Sequence, residues 1–169
     1  MIRKGIILAG GNGTRLFPSS LSISKHLLPV YDKPMIYYPL STLMLAEIKD
    51  ILIISNVRDL ESYKYLFQKK LDIGINFSFK VQEQALGIAH ALVLAEDFLD
   101  DSHCSLILGD NLFYSHDFSN TLLKASTSNL NTIFGYPVED PSQFGVVEFD
   151  NRLKIKVNLS ITLVLIYLL

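Results

Sequence analysis

Apolar positions along the chain alternate between short continuous runs and stretches with helical spacing. Residues 5–9 (GIILA), 51–55 (ILIIS) and 104–108 (CSLIL) are continuous runs of strand length. Such runs predict strands buried on both faces. Residues 75–81 alternate in polarity and predict a further strand. Between the first two runs, Pro34 is placed to open a helix as its first residue, carrying Met35, Ile36, Leu40, Leu43, Met44 and Leu45. Asp59 is placed to cap a helix with Leu60, Tyr63, Leu66 and Phe67 on one face. Residues 88–99 read as one amphipathic helix, and Asp117 or Ser119 as the cap of a helix containing Leu122, Leu123 and Ala125. Residues 131–138 and 144–149 read as two more strands.

Strands that alternate with helices predict an α/β fold of Rossmann-like kind, a mostly parallel sheet flanked by helices. Ligands on such sheets bind beyond the carboxyl ends of strands. Three candidate positions fall there: the glycine loop after Ala9, Gln82 after Val81, and Asp110 after Leu108. No repeat and no low-complexity linker interrupts the alternation.

Composition narrows the class. With 169 residues, 49% of them hydrophobic, the chain can bury one proper core, and disorder is not expected. A net charge of −2 gives no general attraction to nucleic acid or to an acidic membrane surface. The single cysteine, Cys104, lies in an apolar run, which excludes a disulfide framework, favours a cytoplasmic setting and predicts a buried side chain. The beginning of the chain has no signal-peptide layout. The apolar stretch at residues 159–169 is shorter than the roughly 18 residues a membrane span requires. His26, His90, His103 and His116 show no metal-binding spacing and are expected in surface or core roles. Asp100 and Asp101 read as a solvated loop, and Tyr37 and Tyr38 as packing or subunit-contact residues.

The stretch GIILAGGNGTRLFP, residues 5–18, carries the strongest chemical signal. A phosphate loop of the G-x-x-x-x-G-K-[ST] type needs a lysine after its last glycine, and none follows Gly13. The dinucleotide fingerprint G-x-G-x-x-G fails because Leu16 holds its last position. The physics of the loop survives both failures. Gly10, Gly11 and Gly13 let backbone N–H groups approach an anion closely. Thr14 adds a hydroxyl, and Arg15 adds a forked cation suited to phosphate oxygens. A tight turn beside a surface arginine is the competing reading of the same residues.

Lys25, ten residues after Arg15, extends the pattern to L-A-G-G-x-G-T-R-L, then S-K-x-L-L-P, then D-K-P-M-I. This order resembles the sugar-nucleotide pyrophosphorylases. The segments YDKPMIYYPLSTLMLAEIKDILIISNVRDL, LILGDNLFY and FGVVEFD resemble the branch using dTTP and glucose 1-phosphate more than the UDP-glucose or ADP-glucose branches. The resemblance runs from about Lys4 to about Lys154 and implies the nucleotide-diphospho-sugar transferase fold. It implies transfer of a thymidylyl group from dTTP to α-D-glucose 1-phosphate, releasing pyrophosphate, as in the dTDP-rhamnose route. It also implies Mg²⁺ as cofactor and homotetrameric assembly. Two other functions stay open: a nucleotide-binding remnant with little or no turnover, and a sugar nucleotidyltransferase that uses UTP or CTP.

Residue roles follow from the resemblance. Gly10, Gly11 and Gly13 would cradle the triphosphate, with Thr14 supporting the loop. Arg15 would neutralise the leaving pyrophosphate, and Lys25 would sit by the α-phosphate and the attacking phosphate. Gln82 would read thymine, its amide offering one donor and one acceptor, with Gly87 beside the nucleotide. Asp110 would hold Mg²⁺, and Asn111 and Gly145 would lie near the sugar.

The chain departs from the family pattern in two places. Leu86 stands where an aspartate usually precedes Gly87. After Lys154 the family continues into a Glu-Lys-Pro motif, a second metal-binding aspartate and a helical region, whereas this chain reads KIKVNLSITLVLIYLL. The expected organisation is therefore a nucleotidyltransferase core at residues 1–156 and a divergent apolar tail at 157–169, with the C-terminal part of the fold missing through truncation or frameshift. The alternative is a tail that forms a genuine final strand. Missing neighbours would leave an unpaired apolar sheet edge, low stability and weak activity.

Overall fold

The computed structural model describes residues 3–69, 73–128, 131–135, 139–140, 148–149, 155–156 and 166–168. Its elements in chain order begin with β1 (Arg3–Ala9), β2 (Pro29–Val30), β3 (Lys33–Pro34), α1 (Tyr37–Leu45), β4 (Asp50–Ser55) and α2 (Leu60–Lys69). Next come β5 (Asn76–Val81), α3 (Ile88–Leu94), α4 (Glu96–Leu99), β6 (His103–Leu108) and α5 (Phe118–Thr127). The described elements end with β7 (Thr132–Ile133), β8 (Glu148–Phe149), β9 (Ile155–Lys156) and β10 (Ile166–Leu168).

The main sheet runs β5-β4-β1-β6-β10-β7, and its first four strands are parallel. The continuous apolar runs become the central strands β4, β1 and β6, buried on both faces, while the alternating run becomes the outermost strand, β5. On one face Ile7, Ile51, Ile53 and Ile107 pack against Leu40 and Leu43 of α1, Tyr63 and Phe67 of α2, and Leu122 of α5. On the other, Ile6, Leu52, Ile54, Cys104 and Leu106 pack against Ala91 and Ala95 beside α3 and α4. The expected helix–sheet–helix layering and the buried Cys104 are both present. Among the described residues, no helix is long and apolar enough to cross a membrane.

Several local expectations change. Pro34 does not open a helix; it pairs with Pro29 in a hairpin whose turn holds Tyr31 at φ 61°. The Ile36 N–H then bonds the His26 carbonyl at 2.9 Å, Ile36 serves as the N-cap, and α1 starts at Tyr37. The helix expected over residues 88–99 breaks into α3 and α4 at Ala95, whose N–H is shared between the Ala91 and Leu92 carbonyls. Asp59 and Asp117 precede helices as expected, but their carboxylates bond neighbouring side chains: Asn56 and Arg58 for Asp59, Asn120 for Asp117.

Strand β10 lies antiparallel between β6 and β7, with Ile166 opposite Leu106 on one side and Ile133 on the other. An unpaired apolar sheet edge is expected from missing neighbours; β6 is instead paired with β10 over residues 104–106. Of the strand expected over 131–138, only Thr132–Ile133 forms a strand, as β7; residues 131, 134 and 135 are outside it, and 136–138 lie outside the described residues. Of the strand expected over 144–149, residues 148–149 appear as β8 and the rest lie outside the described residues.

Candidate active site

The parallel register sets Ala9 opposite Ser55, Ser55 opposite Val81, and Leu8 opposite Leu108. The three segments that follow β1, β5 and β6 therefore leave the sheet at the same edge. They carry the glycine loop, Gln82, and Gly109 with Asp110.

The glycine loop is shaped by two left-handed residues, Gly11 at φ 91° and Gly13 at φ 61°. Side chains rarely occupy that region. A Cβ on Gly13 would lie 3.0 Å from the Ser20 Cβ and 3.3 Å from the Lys25 Cβ, so a bare α-carbon lets the loop rest on the Lys25 segment. Buried Ser20 donates from Oγ to the Gly13 carbonyl at 2.6 Å. A single turn of 3₁₀ helix, Thr14–Leu16, follows and leaves Thr14 and Arg15 exposed. Among the described residues, Arg15 forms no ion pair.

Lys25 opens a second 3₁₀ turn, Lys25–Leu27, and its Nζ meets Asp110 Oδ2 at 2.5 Å. The side chains are 25% and 35% exposed, so the pair sits at the rim of the edge, reachable from solvent. Burial pushes the Asp110 carboxyl up, but the hydrogen bond and charge of Lys25, with His26 nearby, outweigh it and hold the group below the usual carboxylate value.

His26 takes the core role among those expected, and in it the ring also positions its neighbours. It is 1% exposed. Its Nδ1 lies 3.1 Å from Ser24 Oγ and 3.2 Å from the Tyr63 hydroxyl, which also donates to the Ala9 carbonyl at 3.3 Å. Its other edge fills the space over Gly109, where a Cβ would lie 2.8 Å from His26 Cδ2. One ring thus ties the Lys25 turn to the ends of β1 and β6 and to α2. Burial, then the Lys25 charge, push its pKa down to about 4, against the weaker pull of Asp110 and Asp59.

Gln82 is buried, and its backbone N–H bonds the Ser55 carbonyl at 2.8 Å. Its Nε2 donates to the Gly87 carbonyl at 3.2 Å and faces His90 Nδ1 at 3.1 Å. Its Oε1 points toward the glycine loop, 3.7 Å from where a Gly10 Cβ would stand. The sequence reading missed His90; the signal available was its place eight residues after Gln82, in the first turn of the following helix. Leu86 is 62% exposed.

Asn111 follows Asp110, and its Nδ2 is buried without a hydrogen-bond partner among the described residues. Gly145 lies outside the described residues. Among the described residues, no three His, Cys, Asp or Glu side chains converge as a metal cage. Asp110 offers one partly exposed carboxylate, and Mg²⁺ bound through phosphates needs only one or two. The described residues fit a phosphate-borne metal and do not fit a self-contained one.

Comparison with known proteins identifies the family to which this fold belongs. The chain is 52% identical over 150 residues to a glucose-1-phosphate thymidylyltransferase of Neisseria gonorrhoeae, covering 88% of this chain and 52% of that relative. It is 46% identical over 146 residues to the protein of the same name in Mycobacterium tuberculosis, covering 86% of this chain and 51% of the relative. The chain thus spans about half the length of the curated relatives it matches. A Bacillus anthracis structure, described as a candidate glucose-1-phosphate thymidylyltransferase in complex with sucrose, superposes with a TM-score of 0.83. That match is 36% identical and covers 98% of this chain and 70% of the other. A UDP-glucose pyrophosphorylase complexed with UDP-glucose superposes with a TM-score of 0.76 at 27% identity, covering 89% and 64%. The nucleotidyl transferase family model matches residues 4–158, nearly the whole sequence, and the chain belongs to that family.

Proposed function

We infer that this chain carries the nucleotide-handling half of a glucose-1-phosphate thymidylyltransferase, moving a thymidylyl group from dTTP to α-D-glucose 1-phosphate. The observation that carries this reading is the convergence of the glycine loop, the Lys25–Asp110 pair and Gln82 at one sheet edge. The names of the relatives support the choice of substrates.

A phosphate oxygen of glucose 1-phosphate attacks the α-phosphorus of dTTP. The new P–O bond forms as the bond to the β-phosphate bridging oxygen breaks, and that electron pair leaves with pyrophosphate. Such transfers are accelerated chiefly by positioning and by fixed positive charge. Gly10, Gly11 and Gly13 turn backbone N–H groups to the triphosphate, with Thr14 holding the loop. Arg15, exposed beside that loop, neutralises the departing pyrophosphate. Lys25 exchanges its Asp110 partner for the phosphates at the reacting centre. Asp110, once released from Lys25, would help hold Mg²⁺, which would supply charge neutralisation for the phosphate oxygens. Asn111 offers Nδ2, without a partner among the described residues, to the sugar, and Gln82 meets the base. The product is a precursor of deoxysugars such as dTDP-rhamnose.

The competing outcome is nucleotide binding without turnover. Mass spectrometry of the chain incubated with dTTP, glucose 1-phosphate and Mg²⁺ separates the two. Accumulating dTDP-glucose supports transfer. Bound dTTP that never becomes dTDP-glucose supports the competing outcome.

A further inference from the structure

We propose that His90 is a positioning residue that locks the Gln82 amide so that only its carbonyl oxygen faces the base, selecting thymine or uracil over cytosine. The inference rests on the reading that Gln82 meets the base.

A primary amide has two N–H donors and one carbonyl acceptor, and rotation by half a turn exchanges them. Here the orientation is decided by chemistry. The atom 3.2 Å from the Gly87 carbonyl must be a donor, because a carbonyl oxygen only accepts. That atom is therefore Nε2. Its second hydrogen faces His90 Nδ1 at 3.1 Å, so Nδ1 accepts and the ring proton sits on Nε2 of the histidine. Both amide hydrogens are then used within the protein. What remains is Oε1, on the side of the glycine loop near Gly10.

Both locks belong to one helix. Gly87 is the N-cap of α3 at φ 86°, and His90 stands in the first turn of that helix, whose Ala91 is packed into the core. His90 adds the second hydrogen bond, the one that holds the amide's remaining hydrogen. An acceptor fixed in this way pairs with a base that presents an N–H to it. Thymine and uracil present N3–H. In the same pose cytosine presents the N3 lone pair, and two acceptors face each other. The amide alone therefore does not separate thymine from uracil; it rejects cytosine. This differs from the donor-plus-acceptor pairing expected from the sequence.

The test is calorimetric titration of the whole chain with dTTP, UTP and dCTP. The wild type and the variants His90→Ala, His90→Leu and His90→Asn are compared. Leucine keeps much of the ring's volume without an acceptor, and asparagine returns an acceptor oxygen near the position of Nδ1. The wild type should prefer dTTP and UTP to dCTP. The alanine and leucine variants should narrow that preference by about tenfold, the scale of one mispaired hydrogen bond, and asparagine should restore it. An unchanged preference in the alanine and leucine variants, or equal weakening for all three nucleotides, overturns the proposal. A wild type that binds nucleotides without preference overturns the base lock but leaves triphosphate binding intact. A wild type that binds none of them overturns the underlying reading and the lock with it.

Discussion

Lys25 and Asp110 lie 85 positions apart in the chain, and their side chains meet at 2.5 Å at the edge of the sheet. In the free protein each neutralises the other. On the proposed reading, substrate phosphates and a metal would take the two apart. Asp110→Asn keeps the shape and removes the carboxylate charge. Its unfolding midpoint should stay within a few degrees of the wild type, because partly exposed ion pairs are worth only about 0–1 kcal/mol. Its activity should fall about a hundredfold and require more Mg²⁺. A Mg²⁺ titration of rate checks this, and an unchanged metal dependence would remove Asp110 from the metal site.

The buried His26 ties stability to pH. Its pKa is lowered from 6.5 in the unfolded chain to about 4 in the fold. Between those values the unfolded chain binds the extra proton, so stability rises with pH through this window and is lost on acidification from about 6.5 toward 4. The gap corresponds to about 3 kcal/mol in full. Urea unfolding at a series of pH values should show this slope in the wild type and lose most of it in His26→Gln. Equal slopes in the two proteins would contradict the assignment.

Gly109 is needed because His26 occupies the space where its side chain would be. An added Cβ would lie 2.8 Å from the His26 ring and 3.2 Å from the Ala9 Cβ. Gly109→Ala should cost about 1–3 kcal/mol by overpacking, and less in a His26→Ala background. A double-mutant cycle measures the coupling. Additive effects would show that the ring is not what the glycine accommodates.

Tyr63→Phe removes one hydroxyl that meets Ser24 Oγ at 2.8 Å, His26 Nδ1 at 3.2 Å and the Ala9 carbonyl at 3.3 Å. The buried partners left behind make the expected loss about 1–3 kcal/mol. The same change should also lower the rate, because the network holds the Lys25 turn against the strand ends. Thermal unfolding and a rate measurement on one preparation separate the two effects.

The sheet was legible because β1, β4 and β6 are buried on both faces, which leaves a continuous apolar run in the sequence. The glycine loop, Lys25 and Asp110 were legible because each sits beside a strand end or in a long motif. What stayed hidden depends on contacts far along the chain. His26 looks like any isolated histidine until Tyr63 and Gly109 close around it. Pro34 reads as a helix opener until Pro29 and the left-handed Tyr31 fold it back into a hairpin. The pairing of β10 with β6 could not be read from an apolar tail that names no partner.

The central claim is tested most directly by pyrophosphate release from dTTP, glucose 1-phosphate and Mg²⁺, comparing the wild type with Lys25→Ala. The account predicts release by the wild type that depends on glucose 1-phosphate and falls about a hundred- to a thousandfold in the variant. Release that is indifferent to Lys25, or a folded wild-type chain that binds dTTP and releases nothing, would contradict it.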